Sequence, residues 1–214
     1  LFYFFKFYNS KNQSIALWVT NNDSRPFCLS KPRLDEEGIL HLNIPFKDKF
    51  IDELSKMKRT PRPYLEIKEM LGDLNETEDS LFRSFFTETP AVSYAKYDGD
   101  KIRMRYFGHA CILIETKDLS ILVDPLISYY GYKSSVEHFS DYELPETIDY
   151  VLITHNHQDH VLLETLLPLR HKIKNIIVPR SGGGHLQDPC LKLMFNNIGF
   201  NNIIEIEEFS TINF

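Results

Sequence analysis

The chain is 214 residues of ordinary globular make-up, 43% hydrophobic and 25% charged. That excludes a disordered or fibrous protein, and it is enough chain to bury a core without disulfide staples. Its 24 Lys and Arg stand against 30 Asp and Glu, and a net charge of -6 argues against a protein held on nucleic acid by bulk charge.

The opening run Leu1 to Phe5 is apolar, but Lys6 and Asn9 end it quickly. It is too short to cross a bilayer and lacks a signal-peptide cleavage site, so it reads as a strand start in a cytoplasmic protein with no membrane span. Ser14 to Thr20 and Ile39 to Ile44 are strand-like, with turn-forming residues at 21–24 between them. Phe46, Phe50, Ile51, Leu54 and Met57 recur at helical spacing, Thr60 to Pro63 breaks the pattern, and Tyr64, Ile67 and Leu71 resume it up to Gly72. Asn75 with Glu78 three residues on predicts a capped third helix carrying Leu81, Phe82, Phe85 and Phe86. Residues 1–95 are therefore expected to form a small mixed subdomain whose Phe-rich faces are core. Its basic cluster, Lys56 to Arg62, is either a solvated helix end or a docking patch for an acidic partner or phosphate.

The period changes after residue 100. Ile102, Met104 and Tyr106 alternate, and apolar runs at 111–114 and 121–123 flank a Lys117-Asp118 turn, which predicts a hairpin. Strands at 150–153, 175–178 and 202–206 then interleave with helices at 162–169 and from Asp188-Pro189 to Gly199. Strands leading into βαβ units predict an α/β layered domain over residues 96–214. The cysteines Cys28, Cys111 and Cys190 form no Cys-x-x-Cys pair, and Cys111 reads as a buried core thiol.

Directly after the 150–154 strand comes His155-Asn156-His157-Gln158-Asp159-His160, which holds three of the chain's eight histidines. In extended backbone, residues i and i+2 point the same way, so His155 and His157 can share one metal. As the chain turns, Asp159 and His160 are displaced toward a second ion. Imidazole with carboxylate suits zinc, and also iron or manganese. Ser181 to His185 invites a phosphate-loop reading but lacks the Lys-Ser/Thr ending; it is a connection, or a substrate-facing loop with His185 lining the site. His171, beside Lys172, reads as a charge near helix-end carbonyls. No Ser-His-Asp or Cys-His nucleophile arrangement is visible.

His155-x-His157-x-Asp159-His160 resembles the HxHxDH signature of the metallo-β-lactamase-fold superfamily. Upstream, Gly108-His109-Ala110 and Leu122-Val123-Asp124-Pro125 are similar to that superfamily's first motif. The resemblance covers roughly residues 101–214. It implies the first half of an αββα sandwich, with two divalent metal ions between its sheets. His155 and His157 would bind one metal, and Asp159 and His160 the other. Asp159 would also orient the attacking water, Asp124 would brace the ligand loop, and His109 would line the site.

On that resemblance the expected activity is metal-assisted hydrolysis of a small ester, lactone or phosphodiester, with zinc as the metal. The wording from Ile148 to His160 and around Val178-Pro179-Arg180 also resembles a narrower branch, the di-iron β-hydroxylases of non-ribosomal peptide pathways. That alternative implies iron, O2 and an amino acid tethered to a carrier protein, with residues 1–95 serving carrier docking or self-dimerisation. A third expectation is a non-catalytic relative acting as a binding module. A full dimetal site needs a later His and a bridging carboxylate. After His160 the chain offers Glu164, His171, His185, Asp188, Glu205, Glu207 and Glu208, none in such a motif. The sequence is therefore expected to be a fragment whose remaining ligands lie beyond its end and whose sheet exposes an apolar face.

Overall fold

The computed structural model describes residues 9–19, 36–89, 94–128, 137–182 and 189–214. The expectations placed on Leu1 to Phe5, residues 21–24, Cys28, His185 and Asp188 lie outside them.

Two short antiparallel strands, β1 (Ile15–Leu17) and β2 (Leu40–Leu42), come first. Helix α1 (Lys49–Lys56) starts where the Asp48 carboxylate accepts from the Phe50 N–H at 2.8 Å, and it buries Phe50 and Ile51. Helix α2 (Tyr64–Glu69) follows Pro63, and the chain leaves it through Gly72 at φ +76. Helix α3 (Glu76–Ser84) carries the expected capping box, with the Asn75 and Glu78 side chains each taking the other's backbone N–H at 2.9 Å. Phe82 is fully buried and meets Phe86 edge-on with ring centres 4.9 Å apart.

The second sheet has six strands in sequence order: β3 (Arg103–Gly108), β4 (Cys111–Glu115), β5 (Ser120–Val123), β6 (Ile148–Leu152), β7 (Ile173–Pro179) and β8 (Ile203–Ile206). The first three pair antiparallel, and β5 to β8 run parallel. Parallel neighbours need crossovers, supplied between β6 and β7 by α4 (Leu163–Leu169) and between β7 and β8 by α5 (Leu191–Asn197). Helix α5 begins at Leu191 after Cys190, so Pro189 lies outside it; proline permits a first helical turn without compelling one.

One face of this sheet is closed by Cys111, Leu113, Leu122, Val151, Ile176 and Val178, all buried. The Cys111 thiol is fully enclosed, and burial pushes its pKa up to about 12, as a core thiol requires. The opposite face is apolar but uncovered: Met104 and Tyr106 are exposed, and Ile112, Ile114, Ile121 and Leu152 are partly so. The result is a mixed α/β fold in which helices cover one side of a sheet, as in the first half of the expected sandwich.

A single apolar cluster joins Leu40, Phe50 and Phe82 to Leu166, Leu169 and Phe195. Polar staples reinforce the seam. Arg170, 7% exposed, forks onto the Asp52 carboxylate at 2.9 and 3.1 Å and donates to the carbonyls of Phe46, Asp48 and Ile198. Gly199, at φ +90, sits where a Cβ would come within 3.0 Å of the Arg170 guanidinium and of Lys47. Arg59 donates to the carbonyls of Tyr142 at 2.7 Å and Leu144 at 2.8 Å and pairs with Glu146. Half of the basic cluster is therefore an internal clamp: Lys58 and Arg59 reach carboxylates and carbonyls across the seam, while Lys56 and Arg62 pair with Glu53 and Glu66 on their own side. Among the described residues, no helix is long and apolar enough to cross a membrane.

Candidate metal centre

The parallel pairing of Val123 with Leu152 brings the ends of β5 and β6 to one edge of the sheet. Just beyond it, the Asp124 N–H donates to the Leu152 carbonyl at 2.9 Å, and Asp124 adopts φ +40. A second left-handed residue, His109 at φ +51, follows the irregularity between Tyr106 and Gly108, and its carbonyl accepts from the Tyr106 hydroxyl at 2.9 Å. Non-glycine residues in this region are uncommon, and both stand at the candidate site. The loop after β6 closes on itself, with the His160 and Val161 N–H groups both donating to the His157 carbonyl, at 3.0 and 2.9 Å.

Asp124, 1% exposed, organises this loop. Its Oδ1 accepts from the Thr154 N–H at 2.8 Å, and its Oδ2 accepts from the Thr154 hydroxyl at 2.7 Å. The same Oδ2 lies 2.8 Å from His160 Nδ1, so that nitrogen carries the proton and Nε2 keeps its lone pair. Thr154 has one hydroxyl proton and gives it to Asp124. Toward His155 Nδ1, 2.9 Å away, its oxygen therefore accepts, and His155 Nε2 is likewise left with a lone pair. That Nε2 stands 2.8 Å from His157 Nδ1, with ring centres 4.3 Å apart. Two imidazole nitrogens aimed at one point suit a shared cation. Burial, then the neighbouring His160 and His157 rings, holds His155 below the usual imidazole pKa range and favours the neutral, ligating form.

A second convergence adjoins the first. One donor atom from each of His109, Asp159 and His160 lies within 4.8 Å of the other two. His109 Nε2 is 3.1 Å from Asp159 Oδ2, and His160 Nε2 is 3.8 Å from the same oxygen. The His155 and His160 rings are 4.0 Å apart between centres, so the two groups form one patch. His155, His157, Asp159, His160, Asp124 and His109 are thus brought together. Thr154 belongs with them and was not singled out in the sequence; its only signal there is a hydroxyl between an apolar strand and the first histidine.

Other candidates lie elsewhere. Glu205 pairs with Lys192 at 3.2 Å, and Glu207 pairs with Arg180. His171 is not a helix-end charge. Burial, with Lys172 beside it, lowers its pKa to about 4 and keeps it neutral.

A mixed sheet carrying a histidine-rich loop at the carboxyl ends of its parallel strands, braced by an aspartate from the neighbouring strand, defines a metallo-β-lactamase-type metal-binding domain. Residues 103–207 match the family model of the beta-lactamase superfamily domain, and residues 1–90 match that of the diiron non-heme beta-hydroxylase N-terminal domain. The chain is thus a metallo-β-lactamase-fold sequence and, more narrowly, resembles the di-iron β-hydroxylase branch over nearly its whole length.

The closer comparisons bear this out. Over 99% of its length the chain is 33% identical to a 4-amino-L-phenylalanyl-[CmlP-peptidyl-carrier-protein] 3-hydroxylase of Streptomyces venezuelae, of which it spans 41%. The crystal structure of CmlA, a diiron beta-hydroxylase from Streptomyces venezuelae, superposes with a TM-score of 0.83 at 32% identity, over 97% of this chain and 38% of that one. A UPF0173 metal-dependent hydrolase of Ignicoccus hospitalis is 35% identical, but over only 28% of this chain and 24% of its own length.

These findings correct the first functional expectation. The resemblance of the ligand motif alone points to a zinc hydrolase. The likeness that includes residues 1–90 is to hydroxylases, and iron takes the place of zinc as the favoured metal. The motif misled because neutral imidazoles and a carboxylate are donors that both metals accept.

Proposed function

We propose that the full-length protein is a di-iron oxygenase that hydroxylates an amino acid tethered to a carrier protein. The observation that carries this reading is the joint match of residues 1–90 to a β-hydroxylase N-terminal domain and of 103–207 to a beta-lactamase superfamily domain, in one chain. The donor set fits iron: imidazole nitrogens with free lone pairs, and a carboxylate within reach. A bound di-iron centre supplies the activation of O2 that hydroxylation of a C–H bond requires.

In this reading His155 and His157 hold one ion, and Asp159 and His160 the other. Asp124 and Thr154 fix the ring orientations through the bonds described above. His109, donating from Nε2 toward Asp159 Oδ2, orients that carboxylate. His185 is assigned to the substrate-facing loop. Residues 1–95 serve recognition of the carrier protein; among the described residues they hold no group of metal-ligating side chains.

Elemental analysis of the full-length protein is expected to find two irons per chain. A carrier-bound amino acid is expected to gain one oxygen atom by mass spectrometry, in a reaction that requires O2 and a two-electron reductant, the second oxygen atom leaving as water. Two zincs, with no O2 dependence, would overturn the reading.

A further inference from the structure

Far from the histidine loop, the seam between α1 and the α/β layer encloses a cleft of about 80 Å3. Lys56, Lys58, Arg59 and Lys172 line it, against the carboxylates of Asp141 and Glu146, so its wall is net positive even with His171 neutral. Arg59 is saturated by Glu146 and three carbonyls. Lys172 is not. It is 9% exposed, and the hydrogen bond of its ammonium among the described residues is a long one, 3.4 Å to the Pro145 carbonyl. An ammonium has three protons to place, so two are left without a protein acceptor.

Buried donors of this kind are costly unless something accepts from them. Here the two unplaced protons of Lys172 stand at one cleft, larger than the roughly 30 Å3 share of a single water. From this geometry we propose that the cleft is a binding site for a small inorganic oxyanion of phosphate type. Lys172 Nζ would donate from the floor, with Lys58 and Lys56 at the rim. The chemistry is consistent throughout: all three are donors, and the acids nearby are engaged, Asp141 by Lys58 and Glu146 by Arg59. Burial, then the Arg59 charge, pushes Lys172 down to about 8, a strain that an anion beside the ammonium would relieve. The site lies on the seam between the N-terminal helices and the α/β layer, so its occupant would tie the two together.

The test is isothermal titration of the metal-loaded full-length protein with inorganic phosphate, at constant ionic strength set by chloride. Saturable binding is expected, at least tenfold weaker in Lys172→Met and severalfold weaker in Lys58→Gln, with metal content unchanged in both. Lys172→Gln provides a further floor variant should Lys172→Met fold poorly, and it too is expected to weaken binding. Absence of saturable binding would overturn the proposal. So would phosphate binding that none of the three substitutions alters, since that would place the anion at the metals.

Discussion

The carboxylate of Asp124 and the ring of His160 are separated by 36 positions in sequence and by 2.8 Å in space, and the hydrogen bond between them points the Nε2 lone pair of His160 at Asp159. Asp124→Ala removes the acceptor for this ring, for the Thr154 hydroxyl and for the Thr154 N–H together. Loss of such an outer partner lowers metal affinity about 10–100-fold. Competition with a chelator, followed by metal analysis, checks it; unchanged metal retention would show that the ring is held by something else.

His157→Ala and Asp159→Ala each delete a proposed ligand and are expected to lower metal content by at least one ion per chain. His109→Ala leaves the ligands in place and frees only the Asp159 carboxylate, so it is expected to weaken metal binding about tenfold, with partial rescue by His109→Gln. A His109→Ala protein that lost metal as completely as Asp159→Ala would make His109 a ligand in its own right.

Arg170 joins the two halves of the core through one buried guanidinium. Arg170→Met leaves Asp52 and the carbonyls of Phe46, Asp48 and Ile198 without their donor, at a cost of about 3–5 kcal/mol. Arg62→Met breaks a more exposed pairing with Glu53 and Glu66 and is expected to cost about 1 kcal/mol or less. Urea denaturation of the two variants compares them directly, and equal losses would contradict the role given to Arg170.

Burial holds His171 at about 4, below the 6.5 of a free imidazole. Between those values the unfolded chain binds a proton that the folded chain refuses, so stability falls as pH is lowered through this window. With allowance for partial solvent access, the loss is about 1–2 kcal/mol, complete below the folded value. His171→Phe is expected to flatten that part of the stability profile in phosphate-free buffer. An unaltered profile would assign the acid sensitivity to other groups.

Much of the local structure was legible because its causes are local. Asn75 and Glu78 satisfy each other's backbone within one turn, and the continuous apolar run at 111–114 records a strand, although the alternating Ile102, Met104 and Tyr106 fall on the uncovered face. The loop from His155 to His160 was legible for the same reason. What escaped depends on partners far along the chain. Arg170 meets Asp52 across 118 positions, and nothing beside either residue announces the other. Thr154 acquires its role only when Asp124 arrives from the neighbouring strand. The choice of metal escaped for a different reason: the ligands are common to both chemistries, and in the segment that separated them, residues 1–90, the described residues hold no group of metal-ligating side chains.

Thr154 has a single proton to give, and Asp124 takes it. One allocation therefore decides the protonation pattern of its neighbour His155, while the same carboxylate oxygen decides that of His160. Two rings receive their tautomers from the fold, before any ion arrives. A cation meeting this loop finds lone pairs already facing it, so neither ring has to turn over or move its proton between nitrogens first. Thr154→Val is the smallest change that would remove this advance orientation at His155, and weaker metal retention against a chelator would report it.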